Sequence, residues 1–339
     1  MAKDPEPDKK DKDKKGDPLP KFRHIHCSSR FDRSAESLDN DLDDWREHSS
    51  IITLTEVDNN NRRAVLGAKG WGYWNSPKSR GQDNCAICWD SDVWRCQFRN
   101  VRKLNNVPFT RSPTTDKLSA PLYSCSVVLK RVNSKHKVLV SVTHMPAHVE
   151  GPNRWRHIGD HWQARKRAYL TSVANWADYT VDLERKHPTD AQLIVADWNL
   201  DLKNKWVQDM LDAKWGKGYY QLAWSTFPSS GGSMTTHHTP PPGAPQQHYG
   251  DRIIDGSLVR GLWVSDGPNL MPRVASSDHR PYNETLQFSG AVEAMHPWAP
   301  KGDVKDMVAW WGFGDYYDDE IYDVWTVDSH GNPIPIRGK

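Results

Sequence analysis

Four short apolar, β-branched runs in this chain each lead into a side chain able to carry charge. Ile51–Thr55 leads into Glu56, and Val138–Thr143 into His144. Leu193–Ala196 leads into Asp197, with Asn199 two residues on, and Arg252–Ile254 leads into Asp255. A fifth polar piece, Ser276-Ser277-Asp278-His279, follows. Apolar runs of this length bounded by polar or turn residues read as buried strands. An ionisable group at the end of such a strand is costly unless it is paired or metal-bound. Five such endings, bringing carboxylates, imidazoles and an amide, make a set suited to phosphate chemistry.

The roles follow from the chemistry of each group. Hydrolysis of a phosphate ester needs charge drawn from the phosphoryl oxygens, an activated water in line with the leaving group, and donors to the transition state. Mg²⁺ takes oxygen ligands and is held by one or two carboxylates, a role that suits Glu56 and Asp278. Asp197 is placed to orient or deprotonate water, and Asn199 lies on the same side of an extended chain, with an amide to give to a phosphate oxygen. His144 and His279 serve as general acid or base near neutral pH, or as charged donors to phosphate. A histidine in that work wants a carboxylate on its second nitrogen, and Asp255 is the candidate.

The elements that must hold these groups alternate along the chain. Helices are predicted over Asp39 to His48, Asn153 to about Arg185, and Asn204 to about Asp212. Strands alternating with helices predict an α/β fold. Residues 1–20 are a Lys/Asp/Pro mixture with almost no apolar content, predicted as a disordered charged tail. The catalytic body is predicted over 21–289. Residues 290–339 form an acidic, aromatic extension around Trp310-Trp311 and Asp318-Asp319-Glu320, able to pack on the body or dock a protein partner. The Ser/Gly/Pro-rich stretch 228–247 precedes Asp255, and its His237 and His238 are expected to be solvated.

Composition narrows the class. The chain has 45 basic and 43 acidic residues, but 9 of the acids and only 4 of the cations fall in residues 291–339. The body is therefore mildly basic, compatible with a polyanionic substrate. No stretch reaches the ~18 apolar residues of a membrane span, and no apolar signal core opens the chain, so a cytoplasmic protein without membrane contact is expected. Cys85 and Cys88 form a C-x-x-C on a strand-like run, where residues three apart face opposite sides, so reduced thiols rather than zinc or redox chemistry are expected.

The order of these motifs resembles the endonuclease/exonuclease/phosphatase superfamily over about Lys21 to Phe288: a Glu ending the second strand, Thr-His, Asp-x-Asn, Arg-Ile-x-Asp, then Ser-Asp-His. The resemblance implies a four-layer α/β sandwich, two packed and mainly antiparallel β-sheets flanked by helices. It implies metal binding at Glu56 with Asp278 beside the metal, and His144 as the first histidine. Asp197 would orient water, Asn199 would bind phosphate, and Asp255 would pair with His279. The cofactor implied is Mg²⁺, with Mn²⁺ as substitute. The first strand of this family usually ends in Asn; here Ser28 or Cys27 stands in its place, and Arg30 beyond it matches a phosphate-contacting Arg, which favours Ser28. Ala196 replaces the usual Gly before the Asp of Asp-x-Asn, and Asp83 or Gln82 occupies the place of an acid that orients the first histidine.

Arg154, His157, His161 and Arg165 recur at helical spacing with tryptophans nearby, a basic face suited either to a nucleic-acid backbone or to plain solvation. Arg154 and Arg165 are thereby candidate substrate contacts. The sequence thus predicts a Mg²⁺-dependent nuclease of low sequence specificity. The alternatives are a small-molecule or lipid phosphoesterase on the same scaffold, or a catalytically weakened binding module.

Overall fold

A computed structural model describes residues 19–29, 34–57, 65–76, 84–105, 110–112, 115–118, 121–147, 149, 161–202, 205–216, 219–223, 253–271, 277, 279–289, 324–327 and 333–336. Two six-stranded sheets form its centre. The first runs β13(Leu262–Leu270), β14(Tyr282–Phe288), β1(Lys21–Ser28), β2(Ile51–Thr55), β4(Cys85–Asp90), β3(Trp71–Asn75). The second runs β11(Gln221–Leu222), β12(Asp255–Arg260), β10(Ala191–Asp197), β9(Lys137–His144), β8(Leu122–Arg131), β5(Trp94–Asn105). Two small antiparallel pairs, β6(Thr110–Ser112) with β7(Thr115–Leu118) and β15(Val324–Val327) with β16(Pro333–Ile336), complete the described strands. The second of these pairs falls within the C-terminal extension.

Each sheet is antiparallel except at its centre, where one parallel pair lies: β1 beside β2, and β9 beside β10. A parallel pair needs a crossover, and both crossovers carry helices. These are α1(Ala35–His48) and α2(His161–Lys186); α3(Lys205–Trp215) follows β10. The expected helix from Asp39 begins earlier, because the Ser34 hydroxyl accepts the Ser37 amide at 3.1 Å and caps the first turn. Residues 153–160 of the predicted long helix lie outside the described residues, and the third helix runs on to Trp215.

Period-two alternation sorts the core into layers. On the outer face of the first sheet, Ile25, Cys27, Ile52, Leu54, Ala86 and Cys88 pack with Leu38, Leu42 and Trp45 of α1. Between the sheets, Phe22, Ile51, Cys85 and Leu286 meet Val127, Val140, Val142, Leu193 and Val195. Outside the second sheet, Leu139, Ile194 and Leu258 pack under Trp176 of α2 and Met210 and Trp215 of α3. The four-layer sandwich is thus the observed architecture, with two mainly antiparallel sheets. Cys85 faces the other sheet and Cys88 faces α1, so the C-x-x-C presents no joint ligand pair; both thiols are free, and burial pushes that of Cys88 up to about 12. Among the described residues, no helix is long and apolar enough to cross a membrane.

Gly261 makes the turn from β12 to β13 at φ +64°, and a Cβ there would lie 2.2 Å from the Asp190 carbonyl oxygen. Gly261→Ala is expected to lose about 1–2 kcal/mol from the left-handed backbone alone, with the clash added to it. A denaturant midpoint unchanged from the parent chain would contradict this.

Candidate active site

Because β9 and β10 are parallel, their C-terminal ends share one edge, where His144 pairs in register with Asp197. The antiparallel β12 comes to that edge with its first residue, and Asp255 pairs with Asp197. Here the structure corrects the sequence reading: Ile253 and Ile254 precede the strand, and Asp255 opens it rather than ending it. In the first sheet, the parallel β1 and β2 bring Ser28 and Thr55 level, with Glu56 next in line. His279 sits just before β14, which is antiparallel to β1 and so begins at the same edge. Residues 140, 142, 193 and 195 face the gap between the sheets, and by alternation so do His144, Asp197, Asp255 and Ser28. The site lies at the mouth of the gap between the sheets.

Asp197 lies at its centre. Its Oδ2 is 3.4 Å from His144 Nε2 and 3.7 Å from His279 Nε2. Its Oδ1 accepts the Asn199 backbone amide at 3.0 Å. The Asn199 side-chain amide donates to the Met145 carbonyl at 2.9 Å and to His144 Nε2 at 3.0 Å. Since a carbonyl only accepts, this orientation of the amide is fixed, and His144 Nε2 is an acceptor here. His279 Nδ1 donates to Asp255 Oδ2 at 2.8 Å, which leaves Nε2 to face Asp197. The His279 backbone amide bonds the Ser277 hydroxyl, which in turn donates to the Ser28 carbonyl, tying the segment to the end of β1.

The two carboxylates are driven in opposite directions. Burial, joined by the charge of Asp255, raises Asp197 above the usual carboxylate range against the pull of His279 and His144. Burial would raise Asp255 too, but the imidazoles of His279 and His26 outweigh it and hold that carboxyl well below its usual value. The surroundings thus push the proton affinities of the two buried carboxyls apart.

Backbone strain gathers at the same place. Glu56 (φ 59°) and Asn199 (φ 53°) are two of the four non-glycine residues with positive φ among the described residues. Such conformations cost free energy and persist where the surrounding structure enforces them. Next to Glu56, the hydroxyls of Ser28 and Thr55 are fully buried and find no hydrogen-bond partner among the described residues. Oxygen donors left open beside a carboxylate fit a hard divalent cation. Asp197, Asp255 and His279 also bring ligand atoms within 4.8 Å of one another.

Arg30, Arg154, Asp278, Asp83, Gln82, His237 and His238 lie outside the described residues. Arg165 is buried, and its guanidinium donates to the Ala147 carbonyl at 3.1 Å, bracing the segment that follows His144. The sequence reading passed over His26, although its alternation with Ile25 and Cys27 marks a polar face on a strand buried on both sides.

No protein-family model matches this chain, and no curated protein does either. Solved structures do. The human Nocturnin catalytic domain with bound sulfate aligns at TM-score 0.58 and 15% identity, over 80% of this chain and 96% of that one. An endonuclease/exonuclease/phosphatase family protein from Bacteroides thetaiotaomicron aligns at 0.55 and 16%, over 79% and 95%. A mannosyl-6-phosphatase from the same species aligns at 0.52 and 16%, over 79% and 100%. The chain shares the fold of these solved structures, the sandwich that the order of the sequence motifs implied.

Proposed function

We propose that this chain is a divalent-metal-dependent phosphodiesterase, and within that class a nuclease cutting DNA or RNA with little sequence preference. The observation that carries the proposal is Asp197: a buried carboxylate with a raised proton affinity, set between two imidazoles at the mouth of the inter-sheet gap. In this reading Asp197 takes the proton of the attacking water. Asn199 binds a phosphoryl oxygen, and His144 and His279, once protonated on Nε2, donate to the transition state. Asp255 keeps His279 in the tautomer whose Nε2 faces the reaction. Glu56 and Ser28, together with Asp278, would hold Mg²⁺ or Mn²⁺, which would supply positive charge to draw electrons from the phosphate.

Positive charge near the site supports a polymeric substrate. Arg99, Arg102 and Lys103 are exposed on the edge strand β5. The register sets Lys103 against Tyr123, and the adjoining Ser124 against Thr143, so these cations reach the site edge two strands from His144. Arg30 and Arg154 are proposed as further substrate contacts. The sugar phosphatase among the structural neighbours favours a phosphomonoester as the second reading. In this reading the body spans 21–289, and the extension 290–339 either packs on the body or docks a protein partner.

Incubation of the full chain with supercoiled plasmid, single-stranded DNA and RNA in Mg²⁺, Mn²⁺ or EDTA tests the reading. Strand cleavage is expected with either metal, none in EDTA, and none by an Asp197→Ala/His279→Ala double variant. Release of inorganic phosphate from a sugar phosphate without nucleic-acid cleavage would replace the nuclease reading with the phosphatase one. Silence toward both substrates would point to a binding module.

A further inference from the structure

The mouth of the site continues inward as a buried polar seam. Asp255 Oδ2 holds His279, while its Oδ1 faces His26 Nε2 at 3.5 Å. His26 Nδ1 lies 2.8 Å from the Thr53 hydroxyl, and His24 Nε2 lies 2.8 Å from that same hydroxyl. His24 Nδ1 is 2.8 Å from Glu284 Oε1, which also accepts from Ser257 Oγ at 2.7 Å, and Ser257 Oγ is 2.6 Å from the Tyr282 hydroxyl. All six side chains behind Asp255 are buried. They come from β1, β2, β12 and β14, so the seam crosses from one sheet to the other.

The direction of these bonds follows from counting protons. A hydroxyl has one hydrogen to give, so Thr53 donates to one histidine and accepts from the other. An imidazole nitrogen turned toward the ionised Asp255 must carry hydrogen, because a lone pair there would oppose a buried anion. With His26 protonated on Nε2 and neutral overall, its Nδ1 accepts from Thr53, and Thr53 accepts from His24 Nε2–H. His24 Nδ1 and Glu284 Oε1 then share one proton. The reverse direction makes His26 a cation and leaves Glu284 an anion, which adds two buried charges and is the costlier arrangement.

We infer that His26 is a positioning residue of the active site: Thr53 fixes its tautomer, and its Nε2–H braces Asp255 so that the other carboxylate oxygen stays on His279. This inference rests on the phosphodiesterase reading above for its catalytic consequence, and on geometry alone for the tautomer. At 3.5 Å the His26–Asp255 contact is long. Such contacts commonly shorten when substrate closes a site. Among the described residues His26 Nε2 makes no hydrogen bond, and the group it faces is Asp255 Oδ1.

The test joins spectroscopy to kinetics. Long-range ¹H–¹⁵N spectra of the full chain labelled at histidine nitrogen, with His26→Gln for assignment, report the tautomers of His26 and His279 without any turnover. Hydrogen on Nε2 of His26 is expected; hydrogen on Nδ1 alone overturns the inference. Hydrolysis of bis(p-nitrophenyl) phosphate with Mn²⁺ is then compared for wild type, Thr53→Val and Thr53→Ser. Thr53→Val is expected to lower kcat about 10- to 100-fold with KM little changed, the range seen when a group supporting a ligand or catalytic residue is lost. Thr53→Ser keeps the hydroxyl and is expected to restore kcat. A folded Thr53→Val chain with wild-type kcat and an unchanged His279 tautomer overturns the inference. If the wild type turns over no phosphodiester, the functional reading fails, and the nitrogen spectra still decide the tautomer.

Discussion

Replacing Asp197 by Asn is expected to lower phosphoester turnover by about 10²- to 10⁴-fold, the usual contribution of a positioned proton acceptor, without lowering the melting temperature. The two halves of this result share one cause. Asn is nearly isosteric, and its carbonyl still accepts the Asn199 amide that Asp197 Oδ1 accepts. It cannot take a proton from water. It also has no charge to bury beside Asp255, and burial with that neighbouring charge is what raises Asp197.

The pH dependence follows from the same direction of shift. A carboxyl whose folded value lies above its unfolded value favours the folded chain fully below the unfolded value, and that contribution is lost as pH rises through the folded value. Above that raised value the ionised Asp197 costs stability, which Asn removes. The acid limb of the wild-type activity profile is expected above the ordinary carboxylate range, and the stability of Asp197→Asn should vary less with pH there. Turnover within tenfold of wild type would move the proton acceptor elsewhere. A clearly lowered melting temperature would show that the charge stabilises the fold.

The second large effect is expected from Trp198, the residue between Asp197 and Asn199. Its ring is fully buried against Trp176 (centroids 5.5 Å) and Trp215 (6.4 Å) under the outer helices. Its backbone amide donates to the Ile254 carbonyl at 2.6 Å and its indole Nε1 to the Gly256 carbonyl at 3.0 Å, one on each side of Asp255. One side chain thus fills the outer core and clamps the two strands that carry the carboxylates. Trp198→Ala is expected to cost about 3–5 kcal/mol, the range for emptying an aromatic site in a packed core, read as a lower denaturant midpoint. Trp198→Phe keeps most of the packing but loses the Gly256 bond. It should stay folded and still lose activity, because Asp255 shifts relative to Asp197. Wild-type activity in the Phe variant would remove the clamp from the argument.

These two residues show how much was legible in the chain alone. Glu56, His144, Asp197 and Asn199 stood out because each follows an apolar run, and burial of an ionisable group is too costly to be casual. Local periodicity carried the strands and, through the C-x-x-C, even the opposed faces of Cys85 and Cys88. The order of the motifs carried the sandwich. Direction and partnership were not legible, because strand pairing joins residues far apart in sequence. Asp255 looked like the end of a run, yet it opens a strand, since β12 is antiparallel to β10 and reaches the shared edge with its first residue. Arg165 looked like part of a basic surface, yet it is buried against the Ala147 carbonyl. His24, His26, Thr53 and Glu284 meet only because β14, β1 and β2 lie side by side in one sheet, and the closure of the second sheet over them turns separate polar residues into one connected seam. Residue type and local spacing decide which groups demand a partner; the long-range register of the strands decides which partner each one meets.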